Sequence, residues 1–353
     1  SGVPTTPKPL FHKQKRAEVA MPTQPLLGRM KQLFTQTPED VLANKKLCPR
    51  AGRSGGNCRD PNHYVTSNEL HQYLWLPYLR NLGGGYVGVG ADQNYNFIAW
   101  ARSEYVWLMD YDAVIVWVHK MHRAFLLKAP SGRDFVQFYT PKRARKSLAL
   151  LARTYAQDPD KKMILRAYRR YRGRFFKYFN KRFARAKRLS NLEHWLLTPK
   201  HYAHIRRLHQ LGRFRALPGD LLKQKSWRGV AKAAREMGIK IRWAYFSNAE
   251  EYWPYRPFYR ETFRIMPMDK RSLIIRTLSH PRWGKQSKRK SYFHYNIQSG
   301  LSYKRLLQEK AKKGYKGFRF MNIRDLMEAY RVQGEAPNFT RIQMPSVDGV
   351  NTQ

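Results

Sequence analysis

One stretch, GGGYVGVGADQNYNFIAWARSEYVWLMDYD at residues 83–112, constrains the fold of this chain more than any other. Residues 86–89 form a short apolar run entered through Gly83, Gly84 and Gly85. Gly88 and Gly90 permit a tight turn and a close approach of backbone to a ligand. Residues 92–104 then carry Tyr95, Ile98, Ala99 and Ala101 at helical spacing. A second apolar run, 105–109, is closed by Asp110, and Asp112 is placed to cap a third element, 113–129, whose apolar residues suit a buried helix. The order strand, helix, strand, helix predicts an α/β fold: a mostly parallel sheet with right-handed crossovers.

Such a turn has a chemical use. A helix that begins after glycines aims unpaired N–H groups and a positive dipole end at whatever lies above it. An acid at the end of the next strand can accept hydrogen bonds from ribose hydroxyls. Gly90 and Asp110 are twenty residues apart, the length of one helix and one strand. A dinucleotide turn prefers a third glycine, and GVGADQN has none at that place, which weakens a nicotinamide reading. The S-adenosylmethionine version needs only G-x-G and the ribose acid. It would use Gly88, Gly90 and Asp110, with Asp92 and Gln93 at the helix start. That version usually also has an acid two residues before the first glycine, where this chain has Tyr86. The plainer alternative is a sheet turn that needs glycine for packing alone.

Charge narrows the partners. The chain has 68 Lys and Arg against 24 Asp and Glu, a formal net charge of +44. That excess repels itself in the compact state and makes most sense beside a polyanion: nucleic acid, an anionic envelope surface, or acidic protein subunits. Thirteen cations and no acid fall between residues 161 and 190. Within that span Tyr168, Tyr171, Phe175, Phe179 and Phe183 share one helical face. Arg166, Arg169, Arg170, Arg172, Arg174, Lys177, Lys181 and Arg182 populate the others and are the candidate polyanion contacts. No apolar run approaches the ~18 residues a membrane helix needs; the longest is AVIVWV at 113–118.

The remaining chain divides as follows. Residues 1–63 read as an extended arm, rich in Pro, Thr and Lys, that wraps either a partner or the domain surface. Cys48 and Cys58 in that arm could pair as a disulfide, which would put the protein in an oxidising periplasmic or envelope setting. As free thiols they would suit the cytoplasm. A zinc site with His63 or His71 lacks the tight spacing such sites use. Residues 64–80 read as a helix capped by Ser67, with Glu69 in its first turn. An α/β domain spans 64–333, interrupted at about 131–212 by a basic helical insertion. Strands are expected at 214–217, 239–246, 272–278 and 292–297. Helices are expected from Ser226 to Gly238 and at 301–313 and 322–331, with a polar tail over 334–353. The pairs His119/His122 and His201/His204 lack a carboxylate partner at helical spacing and read as packed or exposed histidines.

GVGADQNYNFIAWARSEYVWLMDYD, GDL at 219–221, SNAEEY at 247–252 and YNIQ at 295–298 together resemble a family of poorly characterised bacterial proteins with a class I methyltransferase-like fold. Some leptospiral members of that family are predicted lipoproteins. The resemblance covers roughly 64–330. It implies a Rossmann-like sheet of seven strands, mostly parallel, with an antiparallel last strand. Ligands of such sheets lie outside the carboxyl ends of the strands. Asp92, Gln93 and Asn94, Asp110 and Asp112, Asp220, and Ser247, Asn248, Glu250 and Glu251 would then converge on one polar edge.

Two functions follow as expectations. The favoured one is a degenerate methyltransferase-like scaffold, a pseudoenzyme that contacts an anionic partner or joins a larger assembly through its basic surface. The alternative is an S-adenosylmethionine-dependent methyltransferase acting on an anionic macromolecule. In it Asp220 or Glu250 orients the acceptor or removes its proton.

Overall fold

In a computed structural model of the chain, the described residues are 15–42, 47, 63–188, 193–279, 283, 293–308 and 322–344. Among them run eight strands: β1 Gly85–Val89, β2 Tyr105–Asp110, β3 Phe214–Pro218, β4 Ile241–Tyr245, β5 Leu273–Leu278, β6 His294–Ser299, β7 Arg331–Gln333 and β8 Phe339–Ile342. Helices α1 Gly28–Thr35, α2 Leu76–Leu79, α3 Gln93–Ala101 and α4 Ala113–Lys128 come first. Then follow α5 Gly132–Gln137, α6 Ala144–Thr154, α7 Lys161–Arg188 and α8 Pro199–Gln210. The last are α9 Ser226–Glu236, α10 Pro257–Ile265, α11 Gly300–Gln308 and α12 Ile323–Tyr330.

The strands form one sheet in the order β3-β2-β1-β4-β5-β6-β8-β7. Strands β1 to β5 are mutually parallel, so each returns through a helical crossover. Order reverses between β1 and β4, which makes their carboxyl ends the topological switch point. Successive residues of each strand face opposite ways. Tyr86, Leu108, Trp243 and Tyr245 enter the layer that holds α3, α4 and α7. Val87, Trp107, Met109 and Ala244 enter the layer that holds α9 and α10. Both faces are therefore covered, as a parallel sheet requires.

Several expectations need correction. Among the described residues the sheet has eight strands rather than seven, and antiparallel pairing occurs twice, at β5–β6 and β7–β8. The last strand in sequence, β8, pairs in parallel with β6 and so runs antiparallel to β1–β5, the direction expected of it. The polar tail is not outside the domain. Phe339 and Ile342 are buried, and β8 closes a ladder with β6. Residues 64–80 are not one helix. Ser67 Oγ accepts the Glu69 N–H at 3.1 Å, a local turn, but the chain then makes a 3-10 turn at Gln72–Leu74 before the short α2. Pro77 explains the break: it lacks an N–H and its ring clashes with the carbonyl four residues earlier. Ser226 is the first residue of α9 and not its cap; its hydroxyl donates to Pro218 O at 2.6 Å. Cys48 and Cys58 lie outside the described residues.

The arm packs on the domain over residues 15–42. Phe34 of α1 is fully enclosed and lies against Trp107, with ring centroids 4.7 Å apart. Asp40 enters the loop between β3 and α9, where its carboxylate accepts the N–H groups of Asp220 at 3.1 Å and Lys225 at 3.0 Å. Its own N–H donates to Ser226 Oγ at 2.8 Å. The arm thus supplies the acceptor that α9 lacks in its own preceding loop. Asp40→Ala is expected to cost about 1–2 kcal/mol of stability, the range of a lost helix cap, measured from urea unfolding midpoints. An unchanged midpoint would mean the arm does not cap α9 in solution.

Candidate functional site

The switch-point crevice is where a ligand of such a sheet would lie, and the turn after β1 forms its floor. Gly90 has φ +91°, a conformation side chains rarely adopt, so this glycine is required by the turn itself. Its N–H donates to Asp110 Oδ2 at 3.0 Å, and the Asp112 N–H donates to Asp110 Oδ1 at 2.9 Å. Both carboxylate oxygens of Asp110 therefore brace backbone, and burial pushes its carboxyl up to about 7. The Gly90 carbonyl meets His119 Nε2 at 2.8 Å, and His119 Nδ1 meets the Tyr95 hydroxyl at 2.9 Å.

The space over β1 is filled from within. Tyr86 and Gly88 point to the same face of the strand. The Tyr86 hydroxyl donates to Asn94 Oδ1, and Asn94 Nδ2 donates to the carbonyls of Val89 at 2.9 Å and Ala91 at 2.8 Å. A Cβ placed on Gly88 would lie 2.6 Å from Tyr86 Oη and closer still to Asn94 Oδ1. Gly88 thus makes room for a tyrosine of its own strand. Tyr111, by contrast, is 62% exposed. Asp92 is buried; its Oδ2 accepts from Trp195 Nε1 at 3.3 Å, and burial pushes the carboxyl up to about 6. Gln93 reaches toward the Tyr245 hydroxyl at 3.5 Å, while its Oε1 is enclosed without a hydrogen-bond partner.

Glu69, expected in the first turn of a helix, lies instead at the carboxyl ends of β4 and β5. Glu69 accepts from Tyr245 Oη at 2.6 Å, Ser247 Oγ at 2.9 Å and Thr277 Oγ1 at 2.8 Å. These hydroxyls stand at the ends of β4 and β5. Burial raises the Glu69 carboxyl above its ordinary range, against the lowering effect of those hydroxyls and of Arg182. Arg182 Nη2 donates to Ser67 O at 2.7 Å and ties α7 to the segment that carries Glu69. Sequence offered one faint signal, an acid beside a leucine in a chain poor in acids.

The candidate catalytic acids are engaged elsewhere. Glu250 is fully buried and forms an ion pair with Arg276, also fully buried, at 2.5 Å. It also accepts from Tyr255 at 2.8 Å and Tyr303 at 2.5 Å. This corrects the expectation that Glu250 faces an open polar edge. Asp220 Oδ1 accepts from the Leu222 N–H at 2.9 Å, a turn brace. Asp112 caps α4 through the Val114 N–H at 3.0 Å and meets His63 Nδ1 at 2.6 Å. Glu251 holds the Ser279 N–H and hydroxyl. Among the described residues no three His, Cys, Asp or Glu are grouped to hold a metal ion.

The polyanion candidates divide by helix face. Arg166, Arg169, Arg174, Lys177 and Lys181 are exposed. The others turn inward: Arg170 stacks over Tyr171 at 5.2 Å, Arg172 donates to Tyr139 O at 3.3 Å, and Arg182 holds Ser67. Opposite the exposed row, Tyr168, Tyr171, Phe175 and Phe179 are buried in the core. Among the described residues no helix is long and apolar enough to cross a membrane.

The class of protein is thus a mixed α/β fold on an eight-stranded, mostly parallel sheet with a long basic helix across one face. The chain belongs to the family defined as a domain of unknown function, DUF7790, which it matches over residues 64–343. That span takes in β8 and leaves out the arm. No curated protein matches the chain.

Gly88→Ala is expected to destabilise by about 1–3 kcal/mol through overpacking against Tyr86 and Asn94. Glu250→Gln, which leaves Arg276 buried without its counter-charge, is expected to cost about 3–5 kcal/mol. Both are measured by chemical denaturation, and wild-type stability in either variant would refute the packing described. Asp92 has a folded value of about 6 against a reference of 3.8. Its contribution is therefore fully present below the reference value and is lost as pH rises through about 6, a swing of roughly 3 kcal/mol. Asp92→Asn is expected to flatten that part of the stability profile between pH 4 and 7, and parallel profiles would exclude it.

Proposed function

We propose that this chain is a methyltransferase-like scaffold whose cofactor crevice is closed by its own side chains, and that it binds the phosphate backbone of a nucleic-acid duplex through α7. The order β3-β2-β1-β4-β5 supports the Rossmann-like part of the reading. One observation carries the loss of catalysis: Tyr86 stands where the cofactor-binding version of the turn has an acid, and its hydroxyl and Asn94 take the space over Gly88. Asp110, the ribose acid of the alternative methyltransferase reading, already has a backbone donor on each oxygen.

The exposed row from Lys162 to Lys181 extends about 28 Å along a straight helix at 1.5 Å per residue. A regular row of that length suits a linear lattice of phosphates. The apolar face of α7 is committed to the core, so the helix has none to lay into a bilayer, and its buried aromatics cannot stack on splayed bases. Both facts favour a duplex backbone over a lipid surface or a single strand.

Binding of the full chain to a short duplex of RNA or DNA is expected to fall steeply with salt. With four to six cations engaged, log affinity should fall against log salt with a slope of about −4 to −5. Arg166→Glu with Arg169→Glu and Lys177→Glu should remove most of that binding. Equal affinity in the variant, or tighter binding to anionic vesicles than to duplex, would defeat the duplex reading. Saturable micromolar binding of S-adenosylmethionine that Asp110→Ala abolishes would restore the methyltransferase reading.

A further inference from the structure

Between α1 and α9, in the layer opposite α7, lies a groove of about 490 Å³. Its size is that of a site for one small molecule. Arg29 comes from α1, Lys225 from the residue before α9, and Arg228 and Lys232 from α9 itself. The groove's one acid is Glu236, which meets Arg29 at 3.5 Å across its end. Gln32, Gln36 and Gln224 add amide groups on the walls, and Leu33 and Ala233 give an apolar floor. We infer that this groove binds a small oligophosphate-bearing ligand, of which a nucleoside triphosphate is the type.

Three arguments support that chemistry. Lys225, Arg228 and Lys232 are spaced three and four residues apart, so they share one helical face, where like charges at such spacing repel. Glu236, one turn beyond Lys232, and Glu261, which faces Arg228 from outside the lining, offset part of that charge, and an anion would offset the rest. Arginine and lysine together match phosphate well, the guanidinium as a two-pronged donor and the ammonium as a point charge. Finally, Arg228 Nε is enclosed without a hydrogen-bond partner among the described residues, so the stem of the side chain is held in the wall. Its outer nitrogens are left to face the groove, where an oxyanion would accept from them.

The groove is also a built feature. Gly229 lets the arm come close: a Cβ there would meet Pro38 Cδ and Thr37 Cβ at 3.3 Å. Phe34 and Asp40 anchor the arm on either side of that approach. One wall is therefore arm and the other is α9. The inference does not depend on the closed crevice or on α7.

The test is calorimetric titration of the full chain at physiological salt with inorganic triphosphate, ATP and an acidic peptide in turn. Expected is saturable binding of one triphosphate or ATP per chain. Arg228→Gln with Lys232→Gln should weaken it at least about tenfold, the effect of losing two charge-assisted contacts. Lys225→Gln, a single exposed change, should weaken it in the same direction. Arg169→Gln with Lys177→Gln on α7 should leave it unchanged. Tighter binding of ATP than of triphosphate would identify a nucleotide, and equal binding would identify the phosphate chain alone as what is recognised. No saturable binding, equal weakening by the α7 pair, or preference for the acidic peptide would overturn the inference.

Discussion

Glu250 and Arg276 bring opposite charges into the part of the molecule where the sheet changes from parallel to antiparallel. Arg276 lies on β5 opposite Asn296 of β6, and its Nη1 donates to Asn296 Oδ1 at 2.9 Å and Gln298 Oε1 at 3.0 Å. Glu250 follows β4 and gathers the hydroxyls of Tyr255 and of Tyr303 on α11. The pair therefore joins β5, β6, the segment after β4 and α11 in one enclosed network. Charges taken so far from water persist only when every donor and acceptor is matched. That demand fixes the register of β5 on β6, and β6 in turn is the edge on which β8 and β7 are laid.

The same logic runs through the other acids. With 24 acids among 68 cations, surface pairing alone could have absorbed them all. Several sit inside instead, and their partners are mostly backbone N–H groups and hydroxyls. Asp40 braces the start of α9, Asp110 braces the turns after β1 and β2, and Glu69 holds three hydroxyls at the ends of β4 and β5. Buried carboxylates of this kind are costly unless fully hydrogen-bonded, and in return they hold loops in one conformation. On the proposed reading, the carboxyl edge of the sheet, where enzymes of this architecture keep reactive groups, has become a structural joint.

On the same reading, the outside of the molecule is left to interact. On α7 an aromatic row enters the core, a cationic row from Arg166 to Lys181 faces solvent, and Arg170, Arg172 and Arg182 turn inward between them. The division follows from the 3.6-residue period and from the length of arginine and lysine, whose charged ends reach water whatever the stem covers.

Much of the first half could be read from local pattern. The glycine turn, the helix after it, the strand ending at Asp110 and the Asp112 cap at α4 depend on neighbours in sequence, and periodicity, glycine and capping report on neighbours. The aromatic face of α7 was legible for the same reason. Other features were not. Strand β8 sits in a polar stretch and exists because β6 offers it an edge. Residues 64–80 looked helical until Pro77 and the pull of Glu69 toward β4 and β5 broke the run. Alone, the sequence determined the parallel α/β framework, the long basic helix and the spacing of the candidate ligand turn. Only the tertiary structure decided that Tyr86 and Asn94 fill the space over Gly88, that Glu250 belongs to Arg276, and that the arm and α9 form a cationic groove. Each of these is a contact between residues that either face a direction set by packing or lie far apart in the chain, and no local period encodes such contacts.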